Sequence, residues 1–420
     1  MRDATSGAEI APRKLPQDWM TAGSARKVYD ALERAGGAPR FVGGCVRDAL
    51  LGRRIRDTDI ATPLFPQAVI AAAEAAGLKH APTGIAHGTI TVIADHVGIE
   101  VTTLRRDVDT DGRHAVVSFT DDWQEDAARR DLTINALSAT ADGTVHDYFG
   151  GIEDLKAGRV RFVGRPEDRM REDYLRILRF FRFHADYATG PFDPSALAAA
   201  SALKDHLKAL SGERLRQETL KLLVARRAVE TWRAMLDTGI VAAYLPAATS
   251  IDRMAKLAAL EAMLQVALDP IRRLAALAVT GSGPALAETL KLSNAERDRL
   301  TALAAARPDF VVGDATLVRR QVYDLGNALA LDLLLVDWGA GEPDAVGEND
   351  WHEAYEIVRD WKRPDFPLSG GDATKLGLAP GPEIGKLMRD VEEWWIAGDF
   401  AADREHCLAE LMRRVEGRGA

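Results

Sequence analysis

The chain has 420 residues, 47% of them hydrophobic and 28% charged, with a net charge of −9. That balance describes a globular protein of two to four compact units and excludes a disordered or membrane-embedded chain. No apolar run reaches the roughly 18–20 residues of a membrane helix, and the nearest, Ala328 to Trp338, is broken by Asp332 and Asp337.

Residues 1–22 read as a polar N-terminal extension without a signal-peptide apolar core. A mixed α/β unit over 23–158 follows. Its first elements are a helix (SARKVYDALERAG), a short strand (RFVGG), a second helix (CVRDALLG) and a second strand (DTDIAT). The next are a helix (FPQAVIAAAEAAG) and two strand-like runs, HGTITVIA and IEVTTLR. The segment from Asp107 to Trp123 carries turn residues and charges, which predicts a mobile loop. After Gly164 strand signals stop and helical periodicity continues to the C-terminus. The pattern predicts an α+β fold, with a small mixed sheet followed by an all-helical neck (159–228) and a helical body and tail (229–420). Cys45 and Cys407 have neither disulfide nor metal-ligand spacing, and the cytoplasm is the expected location.

The densest chemistry lies between Phe41 and Thr62. Gly43 and Gly44 lack Cβ atoms, so an anion can approach their backbone N–H groups. The helix that follows turns its positive end toward such an anion, with Arg47 in the first turn as a two-pronged phosphate donor. Asp57 and Asp59, two apart in the expected strand DTDIAT, project from one face, roughly 6–7 Å apart, where they can hold Mg²⁺ beside a triphosphate. A lone DxD is usually a solvated strand end and a lone GG usually a turn. The combination GGxVRD–x8–DxD meets three needs of one chemistry in order, that of a metal-dependent nucleotidyl transferase.

This stretch resembles the opening motif of the class II tRNA nucleotidyltransferase and bacterial poly(A) polymerase family, GGxVRDxLLG followed by DxDxAT. Later segments resemble the family's other motifs in order. The strand IEVTTLR supplies Glu100, which from residue type alone is a surface acid and by the resemblance a third catalytic carboxylate. ARRDLTINAL matches RRDxTxNA, so Arg130 is expected to hold triphosphate or sugar and Asn135 the ribose, with Asp131 orienting neighbours. The bland reading is a capped helix start. HDYFGGIEDL matches a third motif and looks like a hinge between head and neck.

REDYLRILRFFRF (Arg171 to Phe183) reads as one helix, with Tyr174, Ile177, Leu178 and Phe181 on an apolar stripe and Asp173, Arg176 and Arg179 on another flank. Alone this is an ordinary charged helix with internal ion pairs. By the resemblance it is the motif EDxxR, in which Asp173 and Arg176 read the base of incoming CTP or ATP and Arg179 and Arg182 line the pocket. Eight arginines against four acids between Arg159 and Arg182 suggest a basic surface in an acidic protein. GERLRQETLKLL matches a fifth motif, with Glu213, Arg214 and Glu218 as structural braces of the neck.

The resemblance, which spans about residues 38 to 225, implies a polymerase-beta-like head and two Mg²⁺ ions held by Asp57 and Asp59, with Glu100 also catalytic. It implies CTP and ATP as substrates and the 3′ end and acceptor or elbow region of tRNA as partner. No membrane and no protein partner are implied. RDTDIAT in place of KDFDVAT, the short mixed C-terminus and the long segment after Thr103 favour CCA addition to tRNA. The alternatives are a poly(A) polymerase or a CC- or A-adding enzyme, and a non-catalytic RNA-binding protein on the same fold.

Overall fold

The computed structural model describes Leu15 and residues 18–416 apart from 56, 111–114, 307–309, 342–346 and 379. Most of the expected N-terminal extension, Arg56 and the tip of the expected 107–123 loop therefore lie outside the described residues. The chain divides into two compact units: 1–246 with 289–291, and 247–288 with 292–420.

The first unit opens with helices α1 (Asp18–Thr21) and α2 (Gly23–Arg34). Strands β1 (Arg40–Val42) and β2 (Asp59–Thr62) flank helix α3 (Gly44–Leu50). After α4 (Pro66–Ala75) come β3 (Lys79–Gly84), β4 (Thr89–Ala94) and β5 (Val97–Thr103). A separate hairpin of β6 (Arg105–Thr110) and β7 (Ala115–Phe119) precedes α5 (Trp123–Ala128), β8 (Ser138–Ala139), β9 (Val145–His146) and α6 (Gly151–Lys156). The main sheet runs β3-β4-β5-β2-β1-β8-β9. It is mixed, because β2 and β5 pair in parallel while the other neighbours are antiparallel.

Alternation along the strands sets the two faces. Phe41, Ile60, Ile90, Val92, Ile99 and Val101 are buried on one side in a core shared with Val28 and Leu32 of α2 and Val69 and Ala73 of α4. On the other side Val42, Ala61 and Leu104 pack against Trp123 of α5. The same side carries Asp59 and Glu100.

Helices α7 (Pro166–Glu172), α8 (Leu175–Tyr187), α9 (Pro194–Leu203), α10 (Gly212–Leu223), α11 (Ala228–Asp237) and α12 (Ile240–Tyr244) complete this unit. The apolar stripe of α8 goes inward as its spacing predicts, with Ile177, Leu178 and Phe181 buried, while Tyr174 just ahead of it stacks on His206 at 4.1 Å.

Four expectations need correction. Strand β2 begins at Asp59, so Asp57 is not part of it. The reason lies in its neighbour: β1 ends at Val42, opposite Asp59, because Gly43 turns the chain with φ 70°. The segment from Asp107 to Trp123 is largely a two-stranded hairpin, not a loop, with Arg105 paired to Phe119 and Arg106 to Ser118. REDYLRILRFFRF is not one helix. The Asp173 carboxylate accepts the Leu175 N–H at 3.1 Å, and Asp173 itself is extended (φ −155°), so α7 stops and α8 restarts. Finally, β3 was missed, since KHAPTG contains a proline and lacks apolar alternation.

The second unit is helical: α13 (Ile251–Met263), α14 (Pro270–Leu277), α15 (Gly283–Thr289), α16 (Asn294–Leu303), α17 (Ala315–Leu325), α18 (Asn327–Ala340), α19 (Glu348–Asp360), α20 (Gly370–Lys375), α21 (Pro382–Ala397) and α22 (Arg404–Glu416). Ion pairs centred on buried Glu261 and Asp332 join four of them. Glu261 of α13 binds Arg272 and Arg273 of α14, while Asp332 of α18 takes Arg272 at 3.2 Å and Arg299 of α16 at 2.6 Å. An apolar cluster of Tyr323, Leu387, Trp395, Cys407 and Leu411 closes the C-terminal helices. Among the described residues no helix is long and apolar enough to cross a membrane.

Candidate active site

The Gly43 turn that ends β1 also opens the site. A Cβ on Gly43 would stand 3.1 Å from Nη1 of Arg130, and φ 70° disfavours any other residue there. Gly43, Gly44 and Arg47 line a cavity of about 500 Å³ whose floor is the uncovered part of the sheet. Asp59, Glu100, Thr89 and Thr102 line it from the sheet, and Arg105, Arg129, Arg130, Asp173, Arg176 and Arg179 add to the lining from outside that sheet.

Glu100, which residue type alone left as a surface acid, stands in register beside Asp59 on the parallel neighbour strand. Burial, first, and then the Glu100 charge push the Asp59 carboxyl up to about 6, with Arg130 opposing and Asp57 adding to the rise. Asp57 is exposed, two residues ahead of the strand, near enough to act on Asp59 electrostatically. Among the described residues no group of three or more His, Cys, Asp or Glu side chains is gathered closely enough to hold a metal ion.

Around these acids runs a chain of charged hydrogen bonds. Arg47 is buried and donates to both oxygens of Asp48 at 3.0 and 3.1 Å and to Asn135 Oδ1 at 2.6 Å. Its guanidinium also lies over the Tyr187 ring at 4.2 Å. The Asn135 amide donates to Asp131 at 3.0 Å, and Asp131 accepts Arg179 Nε at 2.7 Å. Burial alone would raise the Asp131 carboxyl, yet Arg179 and the Asn135 amide outweigh it and hold it below the usual range. Arg182 binds Glu218 of α10 at 2.5 Å. Arg130 is tied to Asp126 at 3.3 Å and to the Asn135 carbonyl at 3.2 Å.

The EDxxR residues are held as firmly. Asp173 takes Arg214 of α10 at 2.7 Å, and Arg176 donates to Glu172 at 2.5 Å. Glu213 is exposed in the first turn of α10. Arg182 is outside the cavity lining, while the other arginines expected there, Arg47, Arg130, Arg176 and Arg179, line it. The expected basic surface is largely neutralised: Arg165, Arg169, Arg171 and Arg176 pair along their own chain segment, and Arg159, Arg161, Arg179 and Arg182 reach Asp154, Asp131 and Glu218 outside it.

Sequence reasoning assigned no role to Asp48, Asp126, Glu172 or Tyr187. Asp48 and Glu172 sit inside quoted motifs, VRD and EDxxR, and adjacency to an expected ligand was the available signal. Asp126 stands three and four residues ahead of its partners Arg129 and Arg130, so helical spacing was the available signal there; Tyr187 had none, because its partner Asp48 is distant in sequence.

The Poly A polymerase head domain family matches residues 39–161, and a family described as the probable RNA and SrmB-binding site of polymerase A matches residues 191–252. The mitochondrial CCA tRNA nucleotidyltransferase 1 of Danio rerio is 37% identical over 89% of this chain and 87% of that protein. The CCA-adding enzyme of Levilactobacillus brevis is 32% identical over 92% of this chain and 96% of its own. Among solved structures, the Bacillus stearothermophilus CCA-adding enzyme in complex with CTP superimposes with a TM-score of 0.68 at 28% identity, covering 93% of this chain and 97% of that one.

Proposed function

The chain belongs to the family of CCA-adding tRNA nucleotidyltransferases, and from that membership we infer a template-independent nucleotidyltransferase that builds or repairs the 3′-terminal CCA of tRNA from CTP and ATP, with release of pyrophosphate. The observation that carries the reading to this chain's own residues is the Asp59–Glu100 pair on the cavity floor, faced by the arginine wall.

The donor set fits a hard cation: carboxylate oxygens only, with an Asp59 carboxyl raised by burial and by the charges of Glu100 and Asp57 against the opposing Arg130. Asp57 and Asp59 would hold two Mg²⁺ ions, with Glu100 as the third catalytic carboxylate beside Asp59; when bound, the ions activate the RNA 3′-hydroxyl and offset the triphosphate charge. The O3′ to α-phosphorus bond forms as the bond to pyrophosphate breaks. Gly43 and Gly44 offer backbone N–H groups to phosphate, and Arg130 adds charge beside them. Arg47, anchored on Asp48 and Asn135, would add to the phosphate grip, and Asn135 would hydrogen-bond near the ribose. Asp173 and Arg176 read the base, each held in place by a partner, Arg214 or Glu172. Arg179 and Arg182 join this wall to Asp131 and Glu218.

The division into a head (23–158), a neck (159–228) and a body and tail (229–420) that holds the tRNA elbow belongs to the same reading. The β6–β7 segment, in this family the element that helps the site change from C to A, favours full CCA addition over CC addition. Two buried free cysteines suit a reducing compartment such as the cytoplasm. The test is incubation of a tRNA lacking its last three nucleotides with Mg²⁺, CTP and ATP, with mass analysis of the 3′ end. Growth that stops after C, C and A supports the reading. An A-only ladder indicates a poly(A) polymerase, a stop at CC removes the hairpin argument, and no addition returns the non-catalytic RNA binder.

A further inference from the structure

The cavity floor continues past the acids. In the register of the sheet Thr91 of β4 lies opposite Glu100, which lies opposite Asp59, so the three residues form one row across β4, β5 and β2. The next row pairs Thr89 with Thr102, and both line the cavity. Their hydroxyls are 3.1 Å apart, and the Thr91 hydroxyl is 2.8 Å from that of exposed Thr83 on β3. Glu100 is exposed and Thr89, Thr91 and Thr102 are half-buried, while Ile90, Val92 and Val101 between them point into the core.

A pair of hydroxyls has two protons and uses one internally, so each pair keeps a donor and lone pairs for a ligand. Beside the acids Asp59 and Glu100, and with Arg105 at its edge, this part of the lining thus offers hydroxyl donors and acceptors, whereas Arg130, Arg176 and Arg179 offer guanidinium groups. The guanidinium groups suit a triphosphate. The threonine hydroxyls suit ribose hydroxyls, which RNA presents and which need no counter-charge. Thr91 is two interstrand steps from Asp59, on the order of 10 Å at ~4.8 Å per step, within reach of the nucleotides that end the acceptor strand.

We propose that the open β4–β5 face, through the hydroxyls of Thr89, Thr91 and Thr102, seats the 3′-terminal ribose units of the tRNA acceptor strand; this rests on the function given above. Thr89 and Thr102 line the same cavity as Asp59 and Glu100, and Thr91 stands in register beside Glu100, which favours the attacking strand as occupant.

Thr→Val keeps the branched side chain that a strand favours and removes the hydroxyl. The double variant Thr89→Val/Thr91→Val is expected to raise the KM for tRNA lacking CCA by about threefold per hydroxyl, roughly tenfold in all, with the KM for CTP unchanged. A tRNA with a 2′-deoxy sugar in its terminal nucleotide should raise KM for the wild type and add nothing further in the double variant. An unchanged tRNA KM, an equal rise in the CTP KM, or a wild type indifferent to the 2′-deoxy sugar overturns the proposal, the last without any variant. A wild type that adds no nucleotide at all sinks the function itself, whereas CCA addition combined with any of those three results sinks this inference alone.

Discussion

Asp59 and Glu100 are cross-strand neighbours on the parallel β2–β5 pair, brought side by side from positions 41 residues apart in the chain. Two acids in that relation repel, and the raised Asp59 carboxyl records the repulsion together with burial. Arg130 opposes the rise without cancelling it, so the pair keeps an excess of negative charge to which a cation is drawn.

The first prediction follows from that shift. Asp59 is raised from 3.8 to about 6. Below 3.8 it is neutral folded or unfolded, and above 6 it is charged in both. Between them the folded protein alone keeps the proton, so the stability it contributes is full at low pH and is lost as pH rises through about 6. Metal requires the ionised form, so nucleotidyl transfer is expected to decline as pH falls through about 6. Glu100→Gln removes one cause of the shift and should move this acidic limb to lower pH. A pH–rate profile of both proteins checks it, and an unmoved limb refutes the coupling.

Replacing a carboxylate outright has a different signature. Asp57→Ala and Asp59→Ala should reduce CMP incorporation to background while tRNA binding, followed by filter retention, stays near wild type. A variant that keeps full turnover shows that its carboxylate holds no metal.

Base choice is expected to depend on Asp173 and Arg176 and on the groups that hold them. Asp173→Ala or Arg176→Ala should cost about 1–3 kcal/mol of discrimination, a loss of roughly tenfold to hundredfold in the preference for CTP and ATP over UTP and GTP. Arg214→Met, which frees Asp173 from its 2.7 Å partner, should relax the same preference by less. Competition between the four triphosphates reads all three, and unchanged selectivity refutes the base-reading role.

The second unit has its own test. Glu261 is fully buried between Arg272 and Arg273. Removing one member of a buried ionic cluster costs about 3–5 kcal/mol because the others lose their counter-charge. Glu261→Ala should therefore lower the melting temperature of the full chain by calorimetry, and more than Glu261→Gln, which retains hydrogen bonds to the guanidinium groups.

Much of this was legible from residues in order, because the chemistry sits in short local motifs. GGxVRD and EDxxR each gather several cavity-lining residues within a short stretch, and the apolar stripe of α8 went inward as its spacing predicted. Tertiary structure decided whatever depends on partners far apart in the chain. Asp57 lost its place in β2 because Gly43 ends the strand opposite. Glu100 became Asp59's neighbour through a parallel pairing that no local pattern specifies. Of the eight arginines of 159–182, which by count form a basic surface, four pair with acids of their own segment and the other four reach Asp131, Asp154 and Glu218. Charge is additive along a sequence, but which charges meet is settled only when the chain folds back on itself.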